Sequence, residues 1–208
     1  MKTLWSIGIL HLPQRQQSYQ LLIEELNRQL DSSQAFDFVE IITETDSGEL
    51  SVGAKRNRIL EKARGEYVCF IDDDDMITNI YVSSILAALA SKPDVVELVG
   101  YLPYRNLPFI HNLKCGGHYR QDGIQFRTPN HLNTIKTDIA RKILYKEISF
   151  GEDQDYSHRL WDSGLMKTEA LINETMYIYQ FNPEKSETTK FANKQQPKSS
   201  ALNEKSSD

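Results

Sequence analysis

The chain has 208 residues and carries 24 Lys and Arg against 29 Asp and Glu, a formal charge of −5. Its length suits one domain of moderate size with some tail, and its charge excludes a global pull toward phosphate backbones or anionic membrane surfaces. Two cysteines, Cys69 and Cys115, are too few and too far apart for a disulfide framework, and no run approaches the roughly 18 apolar residues that span a bilayer.

The opening "MKTLWSIGILHLPQRQQ" has a short apolar run broken at His11 and Pro13, with no small-residue cleavage site. It reads as a first strand ("LWSIGIL", 4–10) and not as a leader. The expectation is a cytoplasmic protein, not secreted and without an integral membrane segment, in a compartment that keeps thiols reduced. Residues 14–30 repeat Tyr19, Leu22, Ile23, Leu26 and Leu30 at helical spacing, and "FVEIIT" (38–43) predicts a second strand. Residues 52–63 return to the helical period through Val52, Arg56, Ile59, Leu60 and Ala63, with Gly65 placed to end that helix in a left-handed cap. "EYVCFI" is the third strand, residues 79–91 a helix stopped by Pro93, and "DVVELVGY" (94–101) the fourth strand. This order of strand and helix implies an α/β fold: a mostly parallel central sheet with right-handed crossovers and helices on both faces.

Beyond residue 101 the pattern loosens. Residues 102–123 are rich in Pro, Gly and aromatics and read as a long loop region. A strand is expected at about 131–136, a helix at about 137–146 capped by Thr137, a helix from Gly151 to Gly164, and a strand pair within 168–181. Residues 184–208 are polar and too poor in large apolar side chains to offset the entropy of ordering. The reading is one domain over 1–183, with a ligand-binding half (1–101), a smaller C-terminal sub-region (102–183), and a polar tail.

Three clusters could carry chemistry. The first is Asp72–Asp75 in "GEYVCFIDDDDMITN". An acid run alone reads as a solvated loop or a helix N-terminus. Here it follows an apolar strand with no turn residue between, at the carboxyl edge where open parallel sheets bind ligands. Adjacent hard oxygens there suit Mg²⁺ or Mn²⁺, which takes one or two protein carboxylates plus phosphate oxygens. The second is "SVGAKRNRILEKARG", five cations around one helix. Arg58 and Lys62 read as its exposed face, while Arg56 occupies an otherwise apolar position near the ligand edge, where its planar fork can pair with a nucleotide or a carboxylate. The third is "FGEDQDYSHRLWDSG": Asp155 is accounted for as a helix-dipole stabiliser, whereas the Glu152–Asp153 pair could present one carboxylate to a cleft as a general base. Residues 111–146 also hold seven Lys and Arg against Asp122 and Asp138, a local +5.

Together these clusters resemble the family 2 glycosyltransferases of the nucleotide-diphospho-sugar transferase (GT-A) fold, over residues 4 to about 181. The likeness is strongest in "VGAKRNRILEKARGEYVCFIDDDDMI", where the family's basic helix, its Gly-Glu-Tyr turn and its Asp-x-Asp motif follow in order. The resemblance implies that Asp72 and Asp74 hold Mn²⁺ or Mg²⁺ against a sugar-nucleotide diphosphate, a UDP-sugar first among them, and that Asp73 contacts ribose or donor. It implies a donor-contacting role for Arg56, uracil and ribose contacts for Leu12, Glu44 and Asp46, and Asp153 as the base of an inverting, hexosyltransferase-type reaction. "RTPNHLNTIK" with His131, and Glu152, would line the acceptor side. The local positive charge suggests an anionic acceptor, a glycan or modified DNA, since the compact form also resembles single-domain transferases of tailed phages.

The sequence departs from the family in four respects. The motif after strand one appears as Leu12-Pro13-Gln14-Arg15, and that after strand two as Thr43-Glu44-Thr45-Asp46-Ser47-Gly48. No histidine follows His158, so Gln180 or water would replace a C-terminal metal ligand. The Gln-x-x-Arg-Trp motif of processive synthases is absent. Two other classes remain open: a glycoside hydrolase, which needs two carboxylates about 5–9.5 Å apart and no metal, and a non-catalytic module binding nucleotide-sugar or carbohydrate.

Overall fold

Alternating side chains along the first and third strands build two cores, one on each face of a single sheet. The computed structural model describes residues 2–180. Elements run β1 (Trp5–His11), α1 (Gln16–Ser32), β2 (Val39–Thr45), α2 (Val52–Lys62), β3 (Tyr67–Asp72), β4 (Met76–Ile77), α3 (Tyr81–Leu89), β5 (Val95–Val96) and β6 (Leu98–Leu102). There follow β7 (Leu107–His111), β8 (Tyr119–Gln121), β9 (Ile124–Arg127), β10 (Ile135–Lys136), α4 (Thr137–Ile143), α5 (Glu152–Asp162), β11 (Glu169–Ala170) and β12 (Tyr177–Ile178). One sheet has the order β11-β5-β10-β3-β1-β2 and the other β4-β12-β6-β7-β9-β8.

In the first sheet β1 pairs in parallel with both β2 and β3, Ile7 lying opposite Ile41 and Cys69. β10 enters antiparallel between β3 and β5. Because strand side chains alternate between faces, Trp5, Ile7, Ile9, Cys69 and Ile71 pack with α1 and α3, while Val68 and Phe70 pack with α2, α4 and α5. Each such fully buried large side chain contributes roughly 1.5–3 kcal/mol. Burial pushes the Cys69 thiol up to about 11, so it behaves as a small hydrophobe. The first core continues into the second sheet through Leu98, Phe109 and Tyr177. Strands from either side of residue 101 enter both sheets. Among the described residues no helix is long and apolar enough to cross a membrane.

Several local expectations change. The strand expected over 94–101 breaks at Glu97, whose buried carboxylate accepts from Asn112 Nδ2 at 2.6 Å and the Ile172 amide at 3.1 Å, so the chain changes sheets there. The region read as a loop forms β7 and β8; Pro108 disguised the alternation of Leu107, Phe109 and His111. Gly65 is not left-handed. Its amide donates to Ser6 Oγ at 2.8 Å, and its carbonyl accepts from Thr137 Oγ1 at 2.7 Å. Thr137 is therefore a tether inside the first turn of α4, and Lys136 is the N-cap. The tail 184–208, and the last residues of the domain and strand pair expected before it, lie outside the described residues.

The seam joining β5, β10 and β11 is fastened by Asp94, which accepts from Lys136 Nζ at 2.8 Å and from the amides of Lys167 and Thr168 at 2.8 and 3.0 Å. Burial works against its charge, but these donors win and hold the carboxyl at about 2. The folded value lies below the unfolded one, so the contribution is complete above about pH 4 and is lost as pH falls toward 2. Asp94→Asn is expected to cost about 2 kcal/mol at pH 7. Urea midpoints of the two proteins should converge as pH is lowered from 4 to 2.

Candidate active site

Parallel pairing of β1 with β3 brings their carboxyl ends side by side, so the chain at Leu12 meets the aspartate run. A cavity of about 530 Å³ opens there, walled by the strand tips, the start of α2, residues 130–132, the start of α5 and one side of β7 and β9. Leu12, Arg56, Asp72, Asp73, Asp74, His131 and Glu152 all line it. So do Asp153 and Gln180.

The four aspartates do different work. Asp73, 1 % exposed, accepts from His11 Nδ1 at 2.9 Å, the Leu12 amide at 3.0 Å and Arg15 Nη1 at 2.9 Å, fixing the turn after β1 to the tip of β3. Asp75, also buried, accepts from Tyr177 Oη at 2.6 Å and the Gln180 amide at 2.7 Å, fixing β12 beside it. Asp72 and Asp74 keep 29 % and 34 % of their side chains exposed. Asp74 lies 3.0 Å from Arg15 Nη1. Asp72 lies 3.4 Å from Arg56 Nη2 and 3.6 Å from His131 Nε2.

The electrostatics follow. Burial raises the Asp74 carboxyl to about 6, Asp72 and Asp73 adding to the rise and Arg15 opposing it. Burial and the charge of Asp72 push Asp75 well above the usual range. Asp72 goes the other way: burial is outweighed by His131, Arg56 and Arg15, which hold it well below. Like charges this close oppose one another's ionisation, and Arg15 and Arg56 are the cations set against them. Among the described residues no group of three or more His, Cys, Asp or Glu could hold a metal unaided. A pair of carboxylates open to a cavity fits Mg²⁺ or Mn²⁺, whose remaining ligands come from substrate oxygens and water.

Arg56 is 3 % exposed and lies beside a pair of contacting aromatic rings, 5.8 Å from the centre of Phe70 and 5.4 Å from that of Tyr145, the two centres being 5.7 Å apart. Nη1 donates to Glu152 Oε1 at 2.6 Å and Nη2 reaches Asp72, while Nε has no hydrogen-bond partner. The arginine thus ties the tip of β3 to the start of α5. Gly151, at φ 78°, is the left-handed N-cap that turns the chain into that helix. Of the adjacent acids, Glu152 is buried against Arg56, and Asp153 keeps 30 % of its side chain exposed, 3.8 Å from Arg127. Burial opposes ionisation of Asp153, but His131, Arg56 and Arg127 hold its carboxyl below the usual range.

Two residues expected at the site stand outside the cavity lining. Glu44 accepts from Lys62 Nζ at 2.5 Å and Arg58 Nη1 at 3.2 Å, and Asp46 from Lys55 Nζ at 2.6 Å and the Leu50 amide at 2.8 Å. Both carboxylates clamp α2 to the end of β2. His131 is buried with neither ring nitrogen hydrogen-bonded, and its carbonyl accepts from the Phe70 amide. Gln180 holds Asp75 by its backbone, and its side chain contacts Met76 Sδ. Sequence reasoning gave no role to Arg15, Phe109 or His111, which line the cavity, and it set Arg127 on the acceptor side as the first residue of "RTPNHLNTIK"; Arg127 lines the cavity too. The signal for Phe109 and His111 was the strand alternation hidden in the supposed loop.

Residues 31–150, more than half of the chain, match the family described as Glycosyl transferase family 2. Solved structures of similar fold include TarS of S. aureus, residues 1–349, at 16% identity and a TM-score of 0.61, covering 86% of this chain and 60% of that one. Its complex with UDP gives 17% identity, a TM-score of 0.62 and coverage of 88% and 62%. The complex with UDP-GlcNAc gives 12%, 0.57, and 86% and 59%. The chain therefore spans about three fifths of the length of those structures. No curated protein matches it in sequence.

Proposed function

Because the chain belongs to glycosyltransferase family 2 and has the GT-A fold, we propose that it moves a sugar from a nucleotide-diphosphate donor, a UDP-sugar, to a hydroxyl acceptor with inversion at the anomeric carbon. The observation that carries this reading is one cavity holding the Asp72 and Asp74 carboxylates and, across the Arg56 bridge, Asp153. The similar TarS structures that hold UDP and UDP-GlcNAc support the choice of donor.

Asp72 and Asp74 would hold Mn²⁺ or Mg²⁺, which when bound supplies positive charge against the diphosphate leaving group. Asp73, through the Leu12 amide and Arg15, fixes the loop at which the nucleotide enters. Asp153 takes the proton of the acceptor hydroxyl. The freed oxygen bonds to the anomeric carbon on the face opposite the diphosphate, whose glycosidic oxygen departs with the bonding electrons. His131 and the wall beyond it line the acceptor side. Both cysteines are buried and free, which fits a reducing, cytoplasmic setting.

The test is thermal stabilisation by a panel of nucleotide sugars with and without Mn²⁺. One donor at a hundred times its Kd should add about 2.7 kcal/mol of stability, only with the metal present. A panel without any stabilising member rejects the reading; release of free sugar without a nucleotide would point to a hydrolase.

A further inference from the structure

We propose that the cavity-facing side of β7 and β9 is the acceptor subsite, and that it takes a sugar bearing a phosphate or carboxylate group held by Arg127 beside Asp153. This rests on the transferase reading and names the substrate class that the same cavity accepts.

The two strands run parallel, with Phe109 opposite Gln125 and His111 opposite Arg127. All four line the cavity. Their rows offer different chemistry. Phe109 lies over Gly100 of β6, where a Cβ would come within 2.1 Å of the ring, and gives the wall an apolar floor. Beside it stand the Gln125 amide and the buried imidazole of His111, whose Nδ1 has no hydrogen-bond partner. Apolar surface with a few convergent polar groups is the composition of a small-molecule site.

Charge decides the class of ligand. The cations on the donor side are occupied: Arg15 by Asp73 and Asp74, Lys55 by Asp46, Arg56 by Glu152 and Asp72. Within the basic segment 111–146, Lys136 is paired with Asp94 and Lys146 with Asp155, while Arg141 donates to the carbonyls of Leu60 and Ala63. Arg127 is the cation of that segment that lines the cavity. Its side chain is 22 % exposed, the nearest carboxylate is Asp153 at 3.8 Å, and among the described residues its guanidinium makes no hydrogen bond. A guanidinium largely removed from water without a fork-shaped partner is costly unless a ligand supplies one. Arg105, exposed at the rim of the same cavity, adds a second cation farther out.

The test is calorimetric titration of the full chain, saturated with UDP and Mg²⁺, with glucose, glucose 6-phosphate and glucuronate. At least one anionic probe should bind about tenfold more tightly than glucose, as one charge-assisted contact allows. In Arg127→Gln that preference should shrink to about twofold or less, and Arg127→Lys should restore part of it, with UDP affinity unchanged in both. Equal binding of all three sugars by the wild type, or a preference that survives Arg127→Gln, overturns the proposal. So does a tenfold loss of UDP affinity in Arg127→Gln, which would give the guanidinium to the donor diphosphate. Failure of the wild type to bind UDP is a different result, because it removes the transferase reading underneath.

Discussion

Asp153→Asn is expected to lower transfer by about 10²–10⁴-fold, the range typical of a lost general base, while leaving donor affinity within a factor of about two. The substitution keeps the size and polarity of the side chain but removes its proton affinity. Its neighbour Glu152 cannot substitute, because that carboxylate is buried against Arg56 at 2.6 Å. Asp153 is ionised in the free protein, where His131, Arg56 and Arg127 outweigh its burial. A carboxylate held that low is a weak base. On the transferase reading a doubly negative UDP-sugar arrives with a divalent cation, so the cavity's net charge changes little and Asp153 stays the ionised acceptor. Single-turnover transfer and UDP titration on the same preparation separate the two effects. Full activity in Asp153→Asn removes Asp153 as the base, and equal loss of transfer and donor affinity turns it into a donor-binding residue.

The parts of this site that were legible in the sequence are those built from continuous signals. β1 and β3 are apolar runs whose ends must meet if they pair in parallel, so the sequence alone puts the aspartate run at the ligand edge. The partners of Asp73 and Asp75 were not legible, because the chain leaves strand geometry after Asp72. A turn closed by the Asp75 amide on the Asp72 carbonyl at 3.1 Å sends Asp73 toward His11 and Asp75 toward Tyr177. Those partners lie 62 and 102 residues away, beyond any local pattern. That Glu44 and Asp46 stand outside the cavity lining was not legible for a similar reason. Lys55, Arg58 and Lys62 recur at helical spacing on one side of α2, and only the packing of α2 on β2 pairs them with those acids. The wall formed by β7 and β9 was hidden most completely, since Pro108, Gly116, Gly117 and Gly123 fall in or between strands whose pairing is long-range.

Arg56→Ala is expected to destabilise the fold by about 3–5 kcal/mol, the penalty for leaving a buried charge without its partner. Here the stranded groups are Glu152, itself buried, and Asp72, and the contacting rings of Phe70 and Tyr145 lose the cation beside them. Total stabilities of about 5–15 kcal/mol make that a large share. The resemblance to relatives assigned Arg56 to the donor, and a surface arginine reaching for a nucleotide would cost the apo protein almost nothing. Stability of the ligand-free chain therefore separates the two roles. A double-mutant cycle with Arg56→Met and Glu152→Gln, read by urea unfolding, should give a coupling of about 1–3 kcal/mol. Removing both partners together should be less harmful than the sum of the single changes, because no charge is then left alone. Additive effects with small individual costs would detach Arg56 from Glu152 and return it to the donor; strong coupling makes it the tie that keeps the base helix in register with the aspartates of β3.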